Sequence, residues 1–201
     1  MRVLVACEES QAVTKAFRAK GHDAYSCDLQ ECSGGHPEWH YQCDVFDIID
    51  NGWDLLIAHP PCTYLSKAGA RWMYPKAGII CGDRLSKALD AKAFFLRLLN
   101  YPIKKVAIEN PTPLRILKMP KYTQMIQPYE FGHKYSKRTL LWLRGLPPLY
   151  PTELVYGHTP YLPSNTGGKK KGQSYTYTSV TQKEASKTFQ GIADAMADQW
   201  G

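Results

Sequence analysis

The sequence predicts an α/β domain built on a mostly parallel sheet, and three observations carry that prediction. A strand-like run, a helical segment and a second strand-like run fill residues 3 to 27. Two further apolar runs, Trp53 to Ala58 and Lys105 to Ile108, stop at proline turns, His59-Pro60-Pro61 and Glu109-Asn110-Pro111. Stretches with helical periodicity separate and follow these runs, so strands and helices alternate. At 201 residues the chain has about one domain's worth of length. It contains no internal repeat and no second segment large enough to fold alone, so residues 1–201 read as a single domain.

In chain order, Val3 to Ala6 (VLVA) is the first strand. Gln11 to Lys20 reads as a helix because Val13, Ala16 and Phe17 recur at helical spacing, with Gly21 as its stop. Asp23 to Cys27 is the second strand, and strand, helix, strand in so short a span is the sequence form of a βαβ unit. WDLLIA (53 to 58) is too short for a helix and apolar throughout, which suits a strand buried in a parallel sheet. A helix begins at Asp83, with Leu85, Leu89, Phe95, Leu96 and Leu99 in one stripe, and ends near Asn100-Tyr101-Pro102. Thr139 to Leu143 (TLLWL) is a further strand, with Gln124 to Tyr129 as its hairpin partner. Residues 146–184 are rich in Pro, Gly, Tyr, Ser and Thr around Lys169-Lys170-Lys171 and read as an irregular excursion. Gln182 to Trp200 closes the chain as a helix with Ala185, Phe189, Ile192, Ala193, Met196 and Trp200 on one side.

Lys and Arg total 25 against 18 Asp and Glu, a net +7 that favours polyanionic partners without separating nucleic acid from a phosphorylated metabolite. Hydrophobic residues at 44% and charged residues at 21% exclude wholesale disorder. No apolar run approaches the roughly 18 residues of a membrane-spanning helix. The start, MRVLVACEES, lacks a secretory pattern, so the expected location is the cytoplasm. Six cysteines in a reducing compartment predict free thiols, each a core hydrophobe, a metal ligand or a nucleophile.

Two turns carry the chemistry. His59-Pro60-Pro61-Cys62 follows a buried strand, and its prolines fix a thiol at the rim where open α/β sheets bind ligands. Alone, it reads more readily as a structural cysteine in a rigid turn than as a nucleophile. A reactive thiol needs electropositive surroundings, which His59, Lys67 and Arg71 can supply. Glu109-Asn110-Pro111 ends another strand, so a thiol and a carboxyl group can face one cleft. A buried carboxyl with a raised pKa beside a nucleophile can protonate or hydrogen-bond a ring nitrogen as the ring is attacked. Cys27, Cys32, His36, His40 and Cys43 form a further cluster, but zinc sites show tighter cysteine pairs, so no metal is expected.

These motifs give the chain a resemblance to the DNA cytosine-C5 methyltransferases. DLLIAHPPCTYLS (54 to 66) looks like the family's nucleophile motif and VAIENP (106 to 111) like its glutamate motif. VLVACEES, AFRAKGHDAYSCD (16 to 28) and CDVFD (43 to 47) are similar to its cofactor motifs. YEFGHKYSKRTLLWL (129 to 143) resembles the stretch bearing its basic substrate contacts, and FQGIADAMADQW (189 to 200) its terminal motif. There are departures: Cys7-Glu8-Glu9-Ser10 replaces the Gly-rich turn, Thr63 replaces a Gln, Pro111 replaces an aliphatic residue, and Lys137-Arg138 is out of register with the basic pattern.

The resemblance implies a Rossmann-like fold that uses S-adenosylmethionine to methylate C5 of cytosine in DNA. In that reading Cys62 adds to C6, Glu109 protonates N3, and Lys137 or Arg138 holds the O2 side of the base. Asp28 would take the ribose hydroxyls and Asp44 the adenine amino group. The Cys7, Glu8 and Ser10 turn would lie near the methionine end, with Leu29, Val45 and Pro61 completing the cofactor surface. Because residues 146–184 stand where the family carries a separate target-recognition domain, sequence specificity should be low or short. Lys169, Lys170, Lys171 and Tyr175, with Tyr161 and Tyr177 nearby, are the candidate nucleic-acid contacts. The same chemistry on free nucleotide or RNA, and a catalytically silent nucleic-acid-binding relative, are the alternatives. A phage or mobile element, and hence a bacterial or phage-infected cell, would suit so compact a form.

Overall fold

β1 (Arg2–Ala6) buries Val3, Leu4, Val5 and Ala6 completely because it lies at the centre of a sheet covered on both faces. The computed structural model describes residues 1–161 and 186–201. β2 (Asp23–Asp28) and β3 (His40–Gln42) extend the sheet on one side of β1, and β4 (Leu55–Ala58) and β5 (Lys105–Asn110) on the other, all parallel. β6 (Gln124–Ile126) and β8 (Thr139–Arg144) complete seven strands in the order β3-β2-β1-β4-β5-β8-β6, with β8 antiparallel to both neighbours. The strand order therefore reverses between β1 and β4. In an open α/β sheet the crevice at such a reversal, outside the carboxyl ends of the strands, is where ligands bind.

Alternation along the strands sorts the side chains into two cores. Val3, Val5, Leu55, Ile57 and Ala107 face α1 (Ala12–Ala19) and α4 (Gln190–Trp200), meeting Val13, Phe17, Ile192, Met196 and Trp200. Leu4, Ala6, Leu56, Ala58, Val106 and Ile108 face the other layer, meeting Ala88, Phe95 and Leu98 of α3 (Gly82–Leu99). Between β4 and α3 lies a single-turn α2 (Ala70–Met73) whose Met73 is fully buried. Two short strands, β7 (Tyr135–Ser136) and β9 (Thr159–Pro160), pair apart from the main sheet.

The hairpin expected from Gln124 to Tyr129 is present but shorter, because Pro128 opens a 3-10 turn. The last helix starts at Gln190 rather than Gln182; Gln182 to Ala185 lie outside the described residues. Phe189 is extended (φ −66°, ψ 138°), with its ring among those of His133, Tyr135 and Tyr161. The stretch 146–161 has more order than an irregular excursion: Leu149 is buried in the core, and Gly132 N donates to Glu153 O at 2.9 Å. The six cysteines are free thiols. Among the described residues no helix is long and apolar enough to cross a membrane.

Candidate active site

The two proline turns are fastened to each other. Asn110, almost fully buried at the end of β5, donates from Nδ2 to Pro60 O at 2.9 Å, tying the Glu109 turn to the cysteine turn. Cys62 O accepts from Leu65 N at 3.1 Å and Ser66 N at 2.9 Å, so the nucleophile candidate begins a tight turn. Leu114 N then donates to Leu65 O at 2.7 Å, and Lys67 N to Thr112 O at 2.9 Å. Arg84 on α3 reaches Thr63 O at 2.6 Å and lies over the Tyr64 ring, holding the segment after the cysteine from behind. The thiol and the acid of neighbouring strand ends thus belong to one rigid unit.

Sequence reasoning does not single out Asn110, Arg84 or Thr188. For Asn110 the available signal is its place between Glu109 and Pro111 at a strand end; the other two carry none. Asn110→Ala removes a buried hydrogen bond and should cost about 1–3 kcal/mol. Thermal unfolding will register that loss; an unchanged melting temperature would count against the tie.

Cys62 stands exposed at the rim, while Glu109 is mostly buried. Partial burial pushes the Cys62 thiol up, and the nearby Glu109 carboxylate adds to the rise against the opposing charge of Lys137. The protein therefore holds this thiol mainly protonated near neutral pH. Glu109 differs from the sequence expectation of a raised carboxyl. Burial alone would push it up, but the hydrogen bond and charge of His59, the charge of Lys137 and a hydrogen bond from Thr188 bring it below the ordinary value. His59 Nδ1 lies 2.9 Å from Glu109 Oε2.

The basic pair divides. Lys137 is half-buried and its charge acts on Cys62, Glu109 and His59. Its Nζ also stands 5.7 Å from the Phe189 ring centre. Arg138 is exposed, with Nη2 3.4 Å from Tyr122 Oη. One residue of the two faces the thiol and the acid, and it is Lys137.

Along the crevice toward β2 and β3, the residues expected to meet a nucleoside cofactor show three kinds of placement. Cys7 takes a left-handed conformation (φ 59°), which glycine adopts more easily, at the turn where the sequence lacks the usual glycines. Its thiol is pushed up to about 12 by burial and then by the charges of Asp28 and Asp44, so all three face one space. Asp28 and Asp44 accept from Gln30 N and Phe46 N respectively through one oxygen each, and Leu29 beside them is 73% exposed. Two carboxylates and an exposed aliphatic surface fit a nucleoside with ribose hydroxyls and an amino-bearing base. Ser10 is half-buried and Pro61 exposed, on either side of the β1/β4 reversal.

Two of the expected cofactor contacts turn inward instead. Glu8 is 4% exposed, and its carboxylate accepts from Val13 N at 2.7 Å, Thr14 N at 3.2 Å and Thr14 Oγ1 at 2.7 Å. It satisfies donors at the start of α1 that have no partner within the helix, which removes its carboxylate from the cofactor surface. Val45 buries its side chain in the core.

Elsewhere, the Tyr161 ring packs against Tyr135 and Phe189 rather than standing free for stacking on a base. Lys169, Lys170, Lys171, Tyr175 and Tyr177 lie outside the described residues. In the cysteine–histidine cluster, His40 spends its ring nitrogens on Ser26 Oγ and Gln30 O, and His36 contacts Glu38 and stacks on Trp39. Among the described residues no three potential ligands group around one point.

No family model matches the chain, and no curated protein matches it. Its fold does have counterparts among solved structures. The Entamoeba histolytica methyltransferase EhMeth superposes with a TM-score of 0.50 at 12% identity, covering 77% of this chain and 57% of that one. The S. pombe Dnmt2 methyltransferase gives 0.43 at 16% identity, with coverage of 74% and 51%. A mutant of the Spodoptera frugiperda DNMT2 gives 0.41 at 16%, with coverage of 83% and 56%. The chain spans little more than half the length of each. With a seven-stranded, mostly parallel sheet and helices on both faces, the chain has a Rossmann-like α/β fold that it shares with EhMeth.

Proposed function

We propose that the protein transfers a methyl group from S-adenosylmethionine to C5 of cytosine in DNA through a covalent adduct on Cys62. The observation that carries this reading is the fastening of the Cys62 and Glu109 turns into one unit beside the β1/β4 reversal. Cytosine C5 is too weak a nucleophile to take a methyl group directly. Attack of a thiolate on C6 makes C5 enamine-like, and an acid on N3 absorbs the charge that develops. Cys62 and Glu109 are the groups for those tasks, and Lys137 rather than Arg138 suits the O2 side of the base. Bound along Cys7, Asp28, Leu29 and Asp44, S-adenosylmethionine supplies the electrophilic methyl. The demethylated donor leaves as S-adenosylhomocysteine, and loss of the C5 proton to solvent water with expulsion of the Cys62 thiolate from C6 then restores the aromatic ring.

A cytosine inside a duplex is out of reach of Cys62, so the base is flipped out or presented single-stranded. The segment after Cys62 supports a nucleic-acid partner: Trp72 and Tyr74 are exposed among Lys67, Arg71 and Lys76, and Arg71 lies over the Trp72 ring. The 146–184 interval is short for a separate recognition domain, which favours specificity that is low or limited to a few bases. Replacing Lys169, Lys170 and Lys171 together with Ala should flatten the salt dependence of DNA binding, since the slope scales with the number of phosphates the protein neutralises. Titrations at several salt concentrations read this directly, and an unchanged slope removes the lysines from the interface.

The function is tested by offering labelled S-adenosylmethionine with duplex DNA, single-stranded DNA, RNA and free cytosine nucleotides. Label at C5 of DNA cytosine is the expected result. Label in RNA or nucleotide alone reassigns the substrate, and label nowhere refutes methyl transfer to cytosine.

A further inference from the structure

His59 is placed where neither the fold nor the thiol chemistry requires an ionisable ring. It follows β4, and its backbone N donates to Ala6 O at 3.0 Å, so the main chain fixes its position whatever the side chain. Only 12% of its side chain is exposed, and Nδ1 stands 2.9 Å from Glu109 Oε2, whose side chain is 16% exposed. An ionised carboxylate only accepts, so Nδ1 carries the hydrogen. Nε2 is buried with no hydrogen-bond partner among the described residues.

The charged groups around the ring are Glu109 from β5, Glu8 from the turn after β1, and Lys137 from the approach to β8. Burial pushes His59 down, but the hydrogen bond and charge of Glu109 and the charge of Glu8 outweigh it, so His59 is raised and Glu109 lowered. Of the two groups the histidine is therefore the one that favours the proton, one hydrogen bond away from the acid that needs it.

We propose that His59 is a positioning residue and proton reservoir for Glu109, holding its carboxyl toward the substrate ring and exchanging with it the proton that goes to N3. The inference rests on the cytosine-C5 reading above. As the Cys62 thiolate bonds to C6, electron density moves to N3, which takes a proton from the Glu109 carboxyl. That proton reaches Glu109, a carboxylate at rest, from Nδ1 of the His59 imidazolium in the same relay, so one proton moves from His59 through Glu109 to N3, leaving neutral His59 and ionised Glu109. When the C5 proton has left and the C6–S bond breaks, the N3 proton returns through Glu109 to His59. The proton lost from the Cys62 thiol before attack goes to solvent.

The test compares the wild-type protein with His59→Gln, whose amide can still donate to Glu109 but cannot release a proton. Transfer of labelled methyl to a cytosine-containing oligonucleotide is followed from acid to alkaline pH. Wild type should lose rate on the alkaline side as His59 deprotonates. His59→Gln should lose that limb and about 10²-fold in kcat, the low end for general acid–base catalysis, with KM for the oligonucleotide little changed. Equal kcat and the same profile in both proteins would overturn the proposal.

A second arm does not depend on the variant's folding. NMR titration of the histidine rings should show His59 titrating above an ordinary histidine in wild type and lower in Glu109→Gln. A ring that stays neutral throughout, or ignores Glu109→Gln, overturns the proposal. Absence of methyl transfer by the wild type would refute the cytosine reading instead, and the titration still decides whether the pair exists.

Discussion

Replacing Glu109 with Gln will move two rates in opposite directions. Methyl transfer to cytosine will fall by about 10²–10⁴-fold, the usual contribution of a positioned acid, because an amide cannot protonate N3. Alkylation of the Cys62 thiol by a small neutral reagent will accelerate near neutral pH. The sign follows from the charge: the Glu109 carboxylate raises the thiol pKa, so removing it lowers that pKa and increases the thiolate fraction. A substitution that merely damaged the site would slow both reactions. Equal alkylation rates in the two proteins would mean that the carboxylate does not act on the sulfur.

Cys62→Ser will abolish methyl transfer, by about 10⁴-fold or more, while leaving the protein folded. A serine hydroxyl is not ionised near neutral pH and is a far weaker nucleophile than a thiolate. Because Cys62 is exposed and lies outside both cores, the substitution should change stability by no more than about 0.5 kcal/mol. Thermal unfolding and calorimetric titration with S-adenosylmethionine should match wild type, since the Cys7, Asp28 and Asp44 surface is untouched. Retained transfer in the variant would refute covalent catalysis by Cys62.

The sheet was legible in sequence because its strands announce themselves twice, by apolar runs such as LLIA and by the prolines that stop them. A strand buried on both faces has few alternatives at that length. The juxtaposition of Cys62 and Glu109 was legible for the same reason, since parallel strands present their carboxyl ends at one edge. What escaped depends on contacts between distant segments. Glu8 resembles a rim carboxylate until the turn after β1 folds back and places it at the start of α1, where the Val13 and Thr14 donors capture it. Glu109 promises a raised carboxyl until His59, fifty positions away, comes within a hydrogen bond of it. The start of α4 was missed because Phe189, which fits the helical stripe, joins an aromatic cluster instead. Lys137 and Arg138 are adjacent in sequence, and only the course of the chain into β8 turns one toward the site and the other to Tyr122.

The most direct test of covalent catalysis uses DNA in which the target cytosine carries fluorine at C5, incubated with the protein and S-adenosylmethionine. After methyl transfer the fluorine cannot leave as a proton does, so the C6–S bond cannot be eliminated and protein and DNA stay joined. A denaturation-resistant complex that forms with wild type, requires S-adenosylmethionine and maps to Cys62 is the predicted result. Methyl transfer to ordinary cytosine with no trapped complex, or a complex that survives Cys62→Ser, would contradict it.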